Sequence, residues 1–172
     1  TEVTVSWFQI LNSFFIITLA SSFSKLWEKV WNPSGPVKFA LGLIFVAVGF
    51  FALSYGSLSI PQGAKTATVS MIWLILAYFF HTLGELCLSP VGLSYVSKLS
   101  PKKFVGLLFG FWFTASAIAN FIAGYTGAYI DKISAMYSLS TFFIIIAALP
   151  LSAALMLLLF NKKLVKMMHG IK

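Results

Sequence analysis

Five long apolar runs govern what this chain can fold into: Trp7–Leu26, Phe39–Tyr55, Val69–Val96, Phe104–Tyr129 and Leu139–Phe160. About 20 apolar residues carry a helix across a bilayer. Backbone surrounded by lipid must satisfy its own hydrogen bonds, which leaves only helices or closed barrels. Barrel strands are short and alternate apolar with polar residues, and these runs do neither. The expected fold is therefore all-α and integral to the membrane, with five transmembrane helices. Charged residues make up 9% of the chain, against about 25% in soluble domains. The connections NPSGP (32–36), IPQGAK (60–65), SPKK (100–103) and IDKISAM (130–136) read as turns, and none leaves room for a soluble domain.

Lysine placement orients the spans. Lys25, Lys29, Lys38, Lys98, Lys102, Lys103, Lys162, Lys163, Lys166 and Lys172 fall on one side, with Lys65 and Lys132 on the other. By the positive-inside rule the amino terminus is outside and the carboxyl terminus cytoplasmic, as in a multi-pass protein of the plasma (cell inner) membrane. The net charge of +8 is thus a topology signal with no nucleic-acid partner behind it. The lysine-rich tail also suits anionic membrane lipid. Arginine is absent, so no guanidinium clamp for phosphate is available. Cys87, the single cysteine, reads as a small apolar filler. An odd number of spans starting outside, at a residue other than Met, is expected of the carboxyl-terminal part of something longer.

Glu85 is the only acidic side chain deep within an apolar run. A charge at such depth costs about 3 kcal/mol on insertion scales. It is therefore expected either to bind an ion, proton or substrate, or to serve as a structural carboxylate that is paired or protonated. At 100° per residue, Tyr78, His81, Thr82, Glu85 and Ser89 share one side of the third span. Such a polar stripe lines a cavity or joins helices. His81, one turn before Glu85, is a candidate to share its proton. Pro90 removes a helix hydrogen bond beside Glu85 and predicts a bend.

On the first span, Gln9, Asn12 and Ser13 cluster, and an amide there serves substrate or a neighbouring helix equally well. Gly106, Gly110, Ala119, Ala123 and Gly127 on the fourth span predict close helix packing. Trp7 sits where an interfacial anchor belongs. Trp112 lies deeper, where an indole lines a pocket or packs. His169 reads as solvated. No metal cluster, phosphate-cradling loop or matched nucleophile and base points to an enzyme.

The run TLGELCLSPVGLSYVSKLSPKKFVGLLFGFWF, Thr82 to Phe113, resembles the carboxyl-terminal signature of the proton-coupled oligopeptide transporters, the POT or PTR family of the major facilitator superfamily. SWFQILNSFFIITLASSFSKLW and PSGPVKFALGL are similar to the same family upstream, so the resemblance covers nearly the whole chain. It implies that residues 1–172 correspond to the eighth through twelfth helices of a twelve-helix fold, with the amino-terminal half absent. It further implies a symporter importing di- and tripeptides by alternating access, with protons as the coupling ion and no other cofactor. Glu85 would bind the peptide's amino terminus and pair with a lysine of the other half. Ser89 would line the pocket, Trp112 would form a wall for peptide side chains, and Asn12 would help hold the amino end.

The chain departs from the family pattern at Ser13 and Ser22, where prolines are usual, so its first span is expected to be straighter. The family's proton-coupling ExxER motif is not in this chain. Two alternatives stand beside this reading: a transporter of the same family for another small solute, and a non-transporting membrane scaffold or subunit. Glu85 disfavours an anionic solute, which it would repel.

Overall fold

The computed structural model describes residues 5–61 and 69–168, with side chains from Ile10 onward. The side chains of Trp7 and Gln9, together with Lys65, His169 and Lys172, lie outside the described residues. Helix α1 (Val5–Lys25) passes into a π-helical turn, Leu26–Val30, closed by the Trp31 N–H donating to the Leu26 carbonyl at 2.9 Å. Then follow α2 (Gly35–Gly56), α3 (Ile72–Leu99), a 3-10 turn at Lys102–Phe104, α4 (Val105–Ala128), α5 (Ile130–Met136) and α6 (Leu139–Met167). Among the described residues there is no strand. Five segments are long and apolar enough to cross a bilayer: Ile10–Val30, Gly35–Gly56, Ile72–Leu99, Lys102–Ala128 and Leu139–Met167.

Element ends follow local chemistry. Helix α2 starts at Gly35, earlier than the apolar run suggested, because Pro36 suits the first helical turn, where its missing N–H is not needed. Helix α6 continues past Phe160 to Met167; no Gly or Pro lies in that extension, and Lys166 in its last turn suits the helix dipole. IDKISAM, expected as a turn, is the helix α5. It too lacks Gly and Pro, and Asp131 in its first turn is favourable at the dipole's positive end. Ser138 then caps α6, its hydroxyl oxygen accepting from the Thr141 N–H at 3.1 Å. Pro90 does not break α3, which runs unbroken from Ile72 to Leu99.

The core lies along α2, which packs between α3 and α6. Gly35, Gly42, Gly49 and Gly56 recur every seven residues, and each faces α3. An added Cβ would lie 2.2 Å from the Tyr95 ring at Gly35, 2.9 Å from the Gly84 carbonyl oxygen at Gly42, 2.5 Å from the His81 ring at Gly49 and 2.6 Å from Trp73 at Gly56. The approach is mutual, since a Cβ on Gly84 would stand 2.8 Å from the Gly42 carbonyl oxygen. Small residues let backbones meet in this way, so that dispersion over the whole seam replaces the hydrophobic drive that lipid does not supply. Toward α6 the buried residues are also small: Ala40, Ala47 and Ser54 on α2, and Ser140, Ala147 and Ala154 on α6. The Ser54 and Ser140 hydroxyls lie 2.8 Å apart. At the lysine-rich end, the Ser34 hydroxyl donates to Asn161 Oδ1 at 2.7 Å.

Helices α1 and α4 flank this core loosely. Helix α1 leans on α3, with Phe15 edge-on to Phe79 at 5.4 Å between ring centres. Helix α4 has no buried residue. Close packing was expected along its small residues, yet a Cβ at Gly106, Gly110 or Gly127 would meet nothing within 4 Å. The tight seam is α2 on α3 instead.

Candidate functional site

The site grows from the contact of α1 with α3. Thr82 is fully buried, and its hydroxyl reaches Asn12 Oδ1 at 2.6 Å and the Tyr78 carbonyl at 2.8 Å. It has a single proton, so it donates to one of these oxygens at a time. Asn12 Nδ2 in turn faces Glu85 Oε2 at 3.4 Å, a long hydrogen bond. In this orientation the amide accepts from Thr82 through its oxygen and donates to Glu85 through its nitrogen, so both of its polar ends are used. The buried hydroxyl therefore steers the amide, and the amide steers the carboxylate.

Gly84, Leu86 and Cys87, flanking Glu85 on α3, are buried, while Glu85 itself is exposed. Its carboxylate therefore points away from the packed core. Among the described residues its hydrogen-bond partner is Asn12 alone, which leaves the second oxygen open to a cationic ligand. Ser89 is half-buried one turn farther along. Trp112 lies farther still. Its ring crosses Gly92, where an added Cβ would be 2.1 Å from the indole. Gly92 is seven residues from Glu85, about 10 Å along the helix. Glu85, Ser89 and Gly92 thus form one stripe on α3, with Trp112 closing its lysine-rich end over an apolar cavity of about 460 Å³ that Phe39, Tyr95, Leu108 and Phe111 help line.

His81 departs from expectation. Its ring sits on Phe50, 4.7 Å between centres, and against Gly49 of α2. Nε2 is buried without a hydrogen-bond partner among the described residues, and the ring bonds the backbone of Val46. The structure joins Glu85 to Asn12 and does not join it to His81, because the α2 seam draws the imidazole to the other flank of the stripe. Sequence reasoning placed Thr82 on the polar stripe without seeing it as the anchor of Asn12. Gly92, which makes room for Trp112, was missed; a glycine one helical repeat from Glu85 was its signal. No group of three or more His, Cys, Asp or Glu side chains among the described residues is placed to hold a metal.

A sequence profile of the POT family matches residues 1–145. The chain belongs to the POT family. It is 37% identical over 163 residues to the peptide transporter YePEPT of Yersinia enterocolitica subsp. palearctica serotype O:3 (strain YE-P4), covering 92% of this chain and 32% of that protein. It is 31% identical over 173 residues to a di-/tripeptide transporter of Lactococcus lactis subsp. cremoris, covering 99% of this chain and 33% of the relative. Among solved structures, a peptide transporter POT in complex with sulfate matches with a TM-score of 0.80 and 35% identity, over 99% of this chain and 33% of that one. A POT family transporter in complex with 5-aminolevulinic acid matches with a TM-score of 0.75 and 28% identity, over 89% of this chain and 30% of that one. The POT-family chain therefore spans about a third of the length of the relatives it matches.

Proposed function

We propose that this chain forms the carboxyl-terminal bundle of a proton-driven symporter that imports di- and tripeptides across the plasma membrane by alternating access. The observation that carries the reading is the Glu85 carboxylate: exposed on α3, steered by Asn12, and backed by the buried Thr82. A peptide's ammonium would pair with Glu85 while Asn12 holds the carboxylate in place. Ser89 would line the path and Trp112 would bound the space for side chains. The coupling ion is a proton, with no further cofactor.

In this reading the carboxyl terminus is cytoplasmic. Helices supplied by the rest of a relative-length transporter cover α4 and the Glu85 face, and lipid bathes the outer surfaces of α2 and α6. Exposed Ile118 and Phe121 on α4 and Ile17 on α1 suit such cover. The relative bound to 5-aminolevulinic acid favours a second reading, in which other small amines use the same carboxylate. The test is uptake of a labelled dipeptide, and of 5-aminolevulinic acid, into proteoliposomes holding the full-length transporter under an inward proton gradient. Gradient-driven dipeptide uptake supports the reading. Uptake of the amine alone supports the second, and no uptake of either overturns both.

A further inference from the structure

Thr82, Asn12 and Glu85 form a chain of hydrogen bonds that can run in either direction. In the structure the Thr82 hydroxyl donates to Asn12 Oδ1 at 2.6 Å, and Asn12 Nδ2 donates to Glu85 Oε2 at 3.4 Å. An ionised carboxylate only accepts, so this direction suits it. A protonated one carries an O–H that seeks an acceptor, and the Asn12 nitrogen is not one. Half a turn of the amide about its last bond exchanges Oδ1 and Nδ2. Oδ1 then accepts from the Glu85 hydroxyl, and Nδ2 donates to the Thr82 oxygen. The Thr82 proton must point elsewhere, and an acceptor is already in place: the Tyr78 carbonyl at 2.8 Å. A carbonyl oxygen has two lone pairs, so it serves the helix and the hydroxyl together. Each link of the chain is a donor meeting an acceptor in both directions, and no backbone has to move.

We propose that this chain reverses when Glu85 takes up a proton, with Thr82 as the positioning residue that makes both directions possible. Thr82 is fully buried, so water supplies neither of its bonds. A valine would fill the same space and serve neither direction. Other ionisable groups stand apart. Helix α3 packs against α1, α2 and α4, whose titratable side chains among the described residues are Lys25, Lys38, Tyr55 and Tyr125, all toward helix ends. On α3 itself, His81 is seated against Gly49 and Phe50, and Tyr78 lies two turns before Glu85. The inference rests on the reading of Glu85 given above and deepens it. The direction seen here leaves the carboxylate open to a peptide's ammonium, whereas the reversed chain turns a neutral carboxyl toward α1. Proton and ammonium then occupy Glu85 in turn.

The experiment is infrared difference spectroscopy of the full-length transporter through a pH titration, with its asparagine side chains isotope-labelled. Loss in Glu85→Gln identifies the Glu85 acid band, and loss in Asn12→Leu identifies the Asn12 amide carbonyl band. As the acid band appears, the amide carbonyl band is expected to move to lower frequency, because it exchanges an alcohol donor for a stronger carboxylic one. Thr82→Ser should keep this shift. Thr82→Val should enlarge it, since its Asn12 carbonyl starts with no donor. An Asn12 band that stays in place while Glu85 is protonated would overturn the proposal, as would the absence of any Glu85 acid band. A shift of equal size in Thr82→Val and the parent would overturn the role of Thr82. A transporter that shows the expected shifts yet takes up neither dipeptide nor 5-aminolevulinic acid would support the reversal and overturn the transport reading alone.

Discussion

The contact between Gly84 and Gly42 sets the position of Glu85, and Gly84→Ala tests it. The new Cβ would stand 2.8 Å from the Gly42 carbonyl oxygen and 2.7 Å from Val46 Cγ2. The Val46 methyl can rotate away, whereas a backbone oxygen cannot. Restoring an ordinary contact of about 3.4 Å requires α2 and α3 to part locally by about 0.6 Å. Overpacking of this size costs about 1–3 kcal/mol, and the better helix propensity of alanine offsets up to about 1 kcal/mol. A net loss of about 0–2 kcal/mol follows, centred near about 1 kcal/mol. Glu85 is the next residue and moves with the backbone, while its bond to Asn12 is already 3.4 Å long. Dipeptide affinity should therefore fall several-fold even in the folded fraction. Cys87 is fully buried beside this seam, so a thiol-reactive dye reports unfolding in a background where Cys87 is the sole cysteine. The expected result is earlier dye uptake on heating together with weaker binding. An unchanged melting profile would refute the close approach of α2 and α3. A lower profile with unchanged affinity would refute the link from the seam to Glu85.

Thr82→Val removes the hydroxyl that steers Asn12. Stability should fall by about 0.6 kcal/mol, the mean for polar contacts inside membranes, while KM for dipeptide rises several-fold with protein yield unchanged. Gly92→Leu fills the space under Trp112, displaces the indole, and should depress uptake of dipeptides with bulky side chains more than that of dialanine in competition assays. Because His81 faces Gly49 and Phe50, His81→Gln should lower thermal stability and leave the pH profile of uptake in place. A shifted profile would return His81 to the proton path.

Much of the bundle was legible because lipid imposes a simple rule. All five apolar runs became helices, with core boundaries such as 105–128 on α4 within a residue of expectation. Helix ends were less legible where the signal was a single residue, as with Pro36 opening α2. The ends of α5 and α6 turned on the absence of a breaker in polar segments, which hydropathy does not register. Four-residue spacing marks α4 as a helix able to pack without naming its partner, and among the described residues nothing meets its glycines. The seven-residue glycine series on α2 carried the real seam, and it was visible at 35, 42, 49 and 56 to a search for that period. The family resemblance put Asn12 and Glu85 in one expected site, and the structure brings them within 3.4 Å. The bond from Thr82 to Asn12 joins residues 70 apart in sequence, and no local pattern encodes it.

The central claim is that Glu85 reads the peptide's ammonium. The direct measurement is the affinity of the full-length transporter and its Glu85→Gln variant for a dipeptide and for the same dipeptide N-acetylated. The account predicts that acetylation weakens binding strongly in the parent and hardly at all in the variant, because the same ion pair is removed either way. Equal losses on acetylation in both proteins would contradict it and place the ammonium elsewhere.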